Sequence, residues 1–172
     1  NQHIVAEKSS LIDTISFIDK GKNIYGYENF VCDSGGSICE VVDPSDQNDE
    51  ILNRLSNELL FIWIKGSYEH RQNLINRFDK NPKPMCYQPE FLISSWNEYQ
   101  KEFSINENEV NPDSFIRWLY SRALDYRQPR YKKIAERWGV TIQAEELENI
   151  YNEEQIIDLI GKKLENIKGI EK

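Results

Sequence analysis

Leu59-Leu60-Phe61-Ile62-Trp63-Ile64 is the longest strongly apolar run in the chain, and it limits what the rest can fold into. An uninterrupted run of this length suits a strand covered on both faces, because a strand with one wet face alternates apolar and polar residues. Gly66-Ser67 follow directly, and the periodicity then turns helical through Arg71, Leu74, Ile75 and Phe78. Strand, tight turn and helix in that order make one unit of an α/β fold, with residues 59–65 as a central, parallel strand. A short strand is also expected at Val140-Thr141-Ile142. Another is expected over residues 23–33, where Ile24, Tyr25, Tyr27, Phe30 and Val31 are aromatic or β-branched. The expected fold class is therefore α/β: a partial parallel sheet of about three strands with helices on both faces, helix-rich overall.

Apolar residues at three- and four-residue steps predict helices over 2–20, 49–58, 88–103 and 152–167. Another starts at Pro112 with Asn111 as its cap, is interrupted at Pro129, and resumes through Tyr131, Ile134, Ala135 and Trp138 until Gly139. Residues 38–42 read as a helical turn or short strand that Asp43-Pro44 breaks. Asn81-Pro82-Lys83-Pro84 stops the helix before it. The four tryptophans all fall within apolar patterns, so core packing accounts for them. The whole chain, 1–172, reads as a single α/β domain.

Charge and cysteine content narrow the function. A formal charge of −8 weighs against a general nucleic-acid binder, since neutralising phosphates takes an excess of Lys and Arg on at least one face. The basic residues cluster only between Arg117 and Arg137. Three cysteines, Cys32, Cys39 and Cys86, form neither a disulfide framework nor a zinc signature, so a reducing, cytoplasmic setting is expected. The longest apolar run is too short to span a bilayer, and the first residues lack a signal-peptide pattern. The chain begins at Asn1, inside a helical pattern, which leads to the expectation of a fragment or excised domain.

Chemistry is expected first in Asn29-Phe30-Val31-Cys32-Asp33-Ser34-Gly35-Gly36-Ser37-Ile38-Cys39-Glu40. A short apolar run ends in a carboxylate, and Ser34-Gly35-Gly36-Ser37 lets the backbone bend sharply and aim N–H groups at a ligand. The same residues also suit a plain turn between two strands. In a parallel sheet this turn and Gly66-Ser67 both follow strand ends and share one edge. Asp33 there can hold Mg²⁺ through water or polarise a nucleophile, or it can merely cap the next helix. Glu40 reads as solvated. The second constellation is Arg117, Arg122, Arg127, Arg130, Lys132, Lys133 and Arg137, because guanidinium forks match phosphate oxygens. Lys132, Lys133 and Arg137 read as a wet helix face, whereas Arg127 and Arg130, fixed beside Pro129, read as functional. Arg71 and Arg77 point in different directions on one helix and need not serve one ligand. Zinc patterns, a Ser/His/Asp set and a dinucleotide fingerprint are absent from the sequence.

Taken in order, these segments resemble the second half of a P-loop nucleoside- or metabolite-kinase-like ATPase. Phe30-Val31-Cys32-Asp33 fits its apolar strand ending in Asp, and residues 60–64 followed by Arg71 and Arg77 fit its second strand and arginine-bearing helix. Arg127-Gln128-Pro129-Arg130-Tyr131-Lys132-Lys133-Ile134-Ala135 is similar to the segment that shikimate-kinase-like proteins carry after their lid. Residues 29–40, together with Asp79-Lys80-Asn81-Pro82-Lys83-Pro84-Met85, resemble a group of bacterial proteins described only as ATPases. The resemblance implies a P-loop NTPase-like fold, ATP and Mg²⁺ as cofactors, and phosphoryl transfer or ATP hydrolysis on an unidentified substrate. It implies Asp33 as a catalytic and metal-holding residue, and Arg127 and Arg130 as stabilisers of phosphoryl charge when a helical lid-like insertion, 81–128, closes. Ser34, Gly35, Gly36, Ser37 and Arg77 would contact the nucleotide. There is one departure: a Gly-x-x-x-x-Gly-Lys-Ser/Thr sequence occurs nowhere in the 172 residues. The expectation is then that the missing strand and phosphate-binding loop lie upstream of Asn1 and that this chain alone hydrolyses no ATP at a useful rate. The alternative reading is a noncatalytic binding module for an acidic small molecule or a protein partner. A nucleic-acid-directed enzyme is a weaker third, handicapped by the acidic balance.

Overall fold

β1 (Phe61–Lys65) and β2 (Gly139–Gln143) pair in parallel, with Phe61 opposite Gly139 and Lys65 opposite Gln143. The register depends on a glycine, because a Cβ at residue 139 would land on the carbonyl of Phe61. Around this pair the computed structural model, which describes residues 2–83 and 85–170, places seven α-helices. They are α1 (Gln2–Asn23), α2 (Ile38–Val41), α3 (Glu50–Ser56), α4 (Tyr68–Lys80), α5 (Pro89–Phe103), α6 (Pro112–Trp138) and α7 (Glu153–Ile170). Single 3₁₀ turns lie at Glu107–Glu109 and Ala144–Leu147. Pro84 of the helix-stopping segment lies outside the described residues. The protein is thus helix-rich α/β, as its periodicities imply, but among the described residues its sheet has two strands rather than three.

The expected strand over 23–33 is absent, for a local reason. α1 does not stop before Gly21 but continues to Asn23, and the chain then folds back on it. Tyr27 donates its N–H to the carbonyl of Gly21 at 2.9 Å, with Gly26 turning the backbone at φ +68°. The aromatic residues that suit a strand instead pack locally, with Tyr25 and Tyr27 stacked at 5.6 Å. Phe30, Val31, Cys32 and Asp33 follow with no regular structure.

β1 also departs from expectation, since it is not covered on both faces. Phe61 packs on the main core and Trp63 lies 6.3 Å from the Tyr131 ring on α6, but Ile62 and Ile64 remain 40% and 55% exposed. On β2 the neighbours on that second face, Val140 and Ile142, are fully buried.

Two cores form. The main one joins Leu11 of α1, the apolar residues of α2, Ile51, Leu52 and Leu55 of α3, and Ile134 of α6. A second, aromatic one joins Tyr99 of α5 with Phe115 and Leu119 of α6, edge-on to Trp96 and Trp118. α6 connects the two as one 27-residue helix. Pro129 does not interrupt it: the residue is exposed, so the helical bond it cannot donate to Asp125 is lost where water can replace it. Helix starts follow the sequence closely. Asn111 caps α6 by accepting the Ser114 N–H at 3.0 Å, and Ser67 and His70 form a reciprocal capping box at the start of α4. Among the described residues, no helix is long and apolar enough to cross a membrane.

Candidate functional site

The Ser34-Gly35-Gly36-Ser37 turn is built by its own side chains. Asp33 Oδ1 accepts the Gly35 N–H at 2.9 Å, and Ser37 Oγ donates to the Ser34 carbonyl at 3.1 Å. Gly35 sits at φ +57°, a left-handed conformation that a side chain disfavours. Gly36 is needed for close approach, because a Cβ there would stand 2.9 Å from Tyr131 Oη and 3.0 Å from Arg127 Nη1. The turn is therefore pressed onto the face of α6 that carries Arg127 and Tyr131.

What fixes the turn is the short helix after it. All four residues of α2 are buried, and Glu40 among them corrects the expectation of a solvated acid. Its Oε1 accepts Arg127 Nε at 2.6 Å and its Oε2 accepts the Gln88 N–H at 2.8 Å. The two charged side chains are 1% and 3% exposed, so this is a dry ion pair. Burial alone would lower the Arg127 guanidinium, but the charge and hydrogen bond of Glu40 outweigh it and leave its pKa raised, so the arginine stays protonated. Arg130 donates Nε to the Cys39 carbonyl at 3.1 Å and Nη2 to the Val42 carbonyl at 2.7 Å, satisfying acceptors that so short a helix leaves open. Around this pair, burial pushes the Cys39 thiol from 9.0 up to about 12 and the Tyr87 hydroxyl from 10.0 up to about 12. The Tyr87 hydroxyl is buried without a hydrogen-bond partner among the described residues.

Beyond the turn opens a cavity of about 880 Å³. Asp33, Ser34, Gly35 and Gly36 line one side of it, and Gly66 and Ser67, at the carboxyl end of β1, line another. The expectation that these two segments meet rests on a strand before Asp33, and residues 30–33 form none; they line one cavity without sharing a sheet edge. Arg127 and Tyr131 also reach the cavity, and its remaining walls are mostly apolar. Ser37, Arg130 and Arg77 are not part of its lining. Ser37 faces back into the turn, Arg130 is engaged with α2, and Arg77 is exposed on α4. Arg71, six residues before Arg77, does line the cavity and forms a bidentate pair with Asp125 at 2.8 and 2.6 Å. A smaller cavity of about 380 Å³ between α1 and α3 contains none of the expected site residues.

Asp33 is exposed, and the only hydrogen bond of its carboxylate among the described residues is the one from Gly35, which leaves Oδ2 open to solvent or ligand. Among the described residues there is no cluster of three or more His, Cys, Asp or Glu suited to a metal ion. A lone carboxylate does match the way Mg²⁺ is held, through one or two acids with water and phosphate filling the remaining positions.

Sequence reasoning missed Glu40, Gln88 and Tyr87. A signal existed for the first: Glu40 is the one charge inside Ile38-Cys39-Glu40-Val41-Val42, and an acid inside an apolar run needs a buried cation. Gln88 and Tyr87 follow a proline-rich connection and carry no periodicity that would place them there. The rest of the basic segment is occupied on the surface: Arg117 reaches the Asp79 carbonyl, Arg122 pairs with Glu98 and Glu102, and Arg137 reaches the Gln47 carbonyl. Comparison of the chain with family models, with curated proteins and with solved structures finds no match.

Proposed function

We propose that this chain forms part of a P-loop kinase-like ATPase and contributes the wall on which ATP and Mg²⁺ are held, with the phosphate-cradling loop supplied by polypeptide outside the 172 residues. The observation that carries the reading is the convergence of the Asp33–Gly36 turn and the Gly66-Ser67 turn on one cavity at the carboxyl end of a parallel strand. Ligands of open α/β sheets bind at that edge. Asp33 would hold the metal through its free Oδ2, and the backbone of Ser34, Gly35 and Gly36 would face the phosphates. When bound, the nucleotide supplies the transferable phosphoryl group.

Arg127 and Arg130 take a different role from the one the family resemblance implies. Both guanidinium groups hold α2, and α2 holds the turn, so they act here as positioning residues. Calorimetry tests the reading. The 172-residue chain should bind ATP–Mg²⁺ weakly or not at all, and the same chain joined to the sequence that precedes it in its gene should bind it. Tight binding by the short form, or none by the long one, refutes it.

A second reading, a noncatalytic binding module, is favoured by the mostly apolar cavity walls and by the fact that both arginines are already partnered. It predicts a ligand with an apolar body and no nucleotide turnover by either form.

A further inference from the structure

Arg127 engages α2 with only part of its guanidinium. Nε donates to Glu40 at 2.6 Å and Nη2 reaches the Cys86 carbonyl at 3.4 Å, but Nη1 makes no hydrogen bond among the described residues. The side chain is almost wholly out of water, yet it belongs to the lining of the 880 Å³ cavity. Of its atoms, Nη1 stands closest to the position a Cβ would take on Gly36, at 3.0 Å, and Gly36 lines the same cavity. Further donors stand beside it. The Tyr87 ring centroid lies 5.8 Å from Arg127 Cζ, and its buried hydroxyl has no partner among the described residues. Tyr120 lines the cavity, and burial pushes both hydroxyls up while the Arg127 charge pulls them back, which puts both near the guanidinium. A buried donor without an acceptor costs free energy, so this cluster calls for an oxygen from outside.

Charge decides which oxygen. Glu40 already cancels Arg127, and Asp125 cancels Arg71, the other arginine of the lining. His70, also in the lining, accepts the Ser67 N–H on Nδ1 at 3.1 Å, the arrangement of a neutral imidazole. The charge left over is the Asp33 carboxylate, so an anion would meet a wall with no net positive charge. An uncharged acceptor meets no such penalty and satisfies Nη1 without displacing Glu40. We propose that the cavity binds an uncharged, apolar molecule through one carbonyl oxygen, which accepts from Arg127 Nη1 beside Gly36 while its body lies against Leu60, Ile62, Trp63 and Leu124. A volume of about 880 Å³ suits a body of drug-like size. The inference rests on the binding-module reading and names its ligand class.

The 172-residue chain tests it with a neutral naphthyl ketone, propionyl-dimethylaminonaphthalene, carrying an isotope-labelled carbonyl. Calorimetry should show saturable binding of one probe per chain. The propyl analogue, which lacks the carbonyl, should bind at least about tenfold more weakly, the worth of a hydrogen bond to a charged donor. Infrared spectroscopy should show the carbonyl stretch of the bound ketone lowered from its position in hexane. In Glu40→Leu/Arg127→Met, which removes Nη1 together with its counter-charge, the stretch should return to the hexane position and the advantage over the propyl analogue should vanish. The two measurements on the parent chain decide the matter even where the double variant does not fold. Absence of saturable binding overturns the proposal, and so does a bound ketone with an unlowered stretch, which would mean apolar filling alone. Tighter binding of the corresponding naphthoate would make this an anion site and also overturns it. ATP turnover by the extended protein would end the binding-module reading itself, whereas an unlowered stretch without turnover ends this inference and leaves that reading standing.

Discussion

Replacing Arg127 by Met removes the cation from a pair in which both side chains are almost wholly out of water. Glu40 would then be left in the core without its cation, with the Gln88 N–H as its one remaining partner among those described. Breaking a buried pair by deleting one side costs about 3–5 kcal/mol. For a chain of this size each kcal/mol moves Tm by roughly 2–4 °C, so the expected loss is about 6–20 °C. Differential scanning fluorimetry reads it. The double variant Glu40→Leu/Arg127→Met should recover most of the loss, because it removes the uncompensated charge as well. The competing view makes Arg127 a phosphate ligand whose loss lowers turnover more than tenfold and leaves Tm almost untouched. A Tm within about 2 °C of the parent, or a double variant no better than the single, would refute the positioning role.

Other consequences follow from single contacts. Gly139→Ala puts a methyl group on the Phe61 carbonyl and should cost at least about 1–3 kcal/mol, read by urea unfolding. Ser67→Ala removes half of the α4 capping box and should cost about 0.5–2 kcal/mol in the same assay, with Ser67→Gly milder. Because burial raises the Cys39 thiol to about 12, the folded protein holds that proton where the unfolded chain releases it. The sign is therefore negative: stability is complete below about pH 9 and declines between about 9 and 12, by at most about 1.4 kcal/mol per pH unit for this group. Cys39→Ala should flatten that decline in a Tm series. In the native protein at pH 8 exposed Cys32 should react quickly with a thiol reagent while Cys39 stays inert, and rapid labelling of all three cysteines would contradict the packing of α2.

The elements legible in the sequence were those whose signals are local. The cap at Asn111, the apolar run of β1 and the spacing of α4, α5 and α7 all specify structure within a few residues. The strand expected over 23–33 failed because β-branched and aromatic residues report a half-buried surface rather than a partner, and here that surface packs back onto the end of α1. Pro129 was misread because, on the wet side of a long helix, water can replace the bond that a proline cannot donate, and packing at both ends of α6 keeps the helix continuous. The site was half legible. The Asp33 turn and Gly66-Ser67 line one cavity although the strand expected before Asp33 is absent, and the partner of Arg127 is 87 positions away, where no local pattern shows that an arginine is already paired.

The central claim, that the two turns form one ligand site, is tested most directly by amide NMR. ATP–Mg²⁺ is titrated into the chain extended by its preceding gene sequence, and the glycine signals are followed. Gly35, Gly36 and Gly66 should shift together with one affinity, while Gly161 on α7, outside the cavity lining, stays still. Shifts confined to one turn, or to neither, would contradict it.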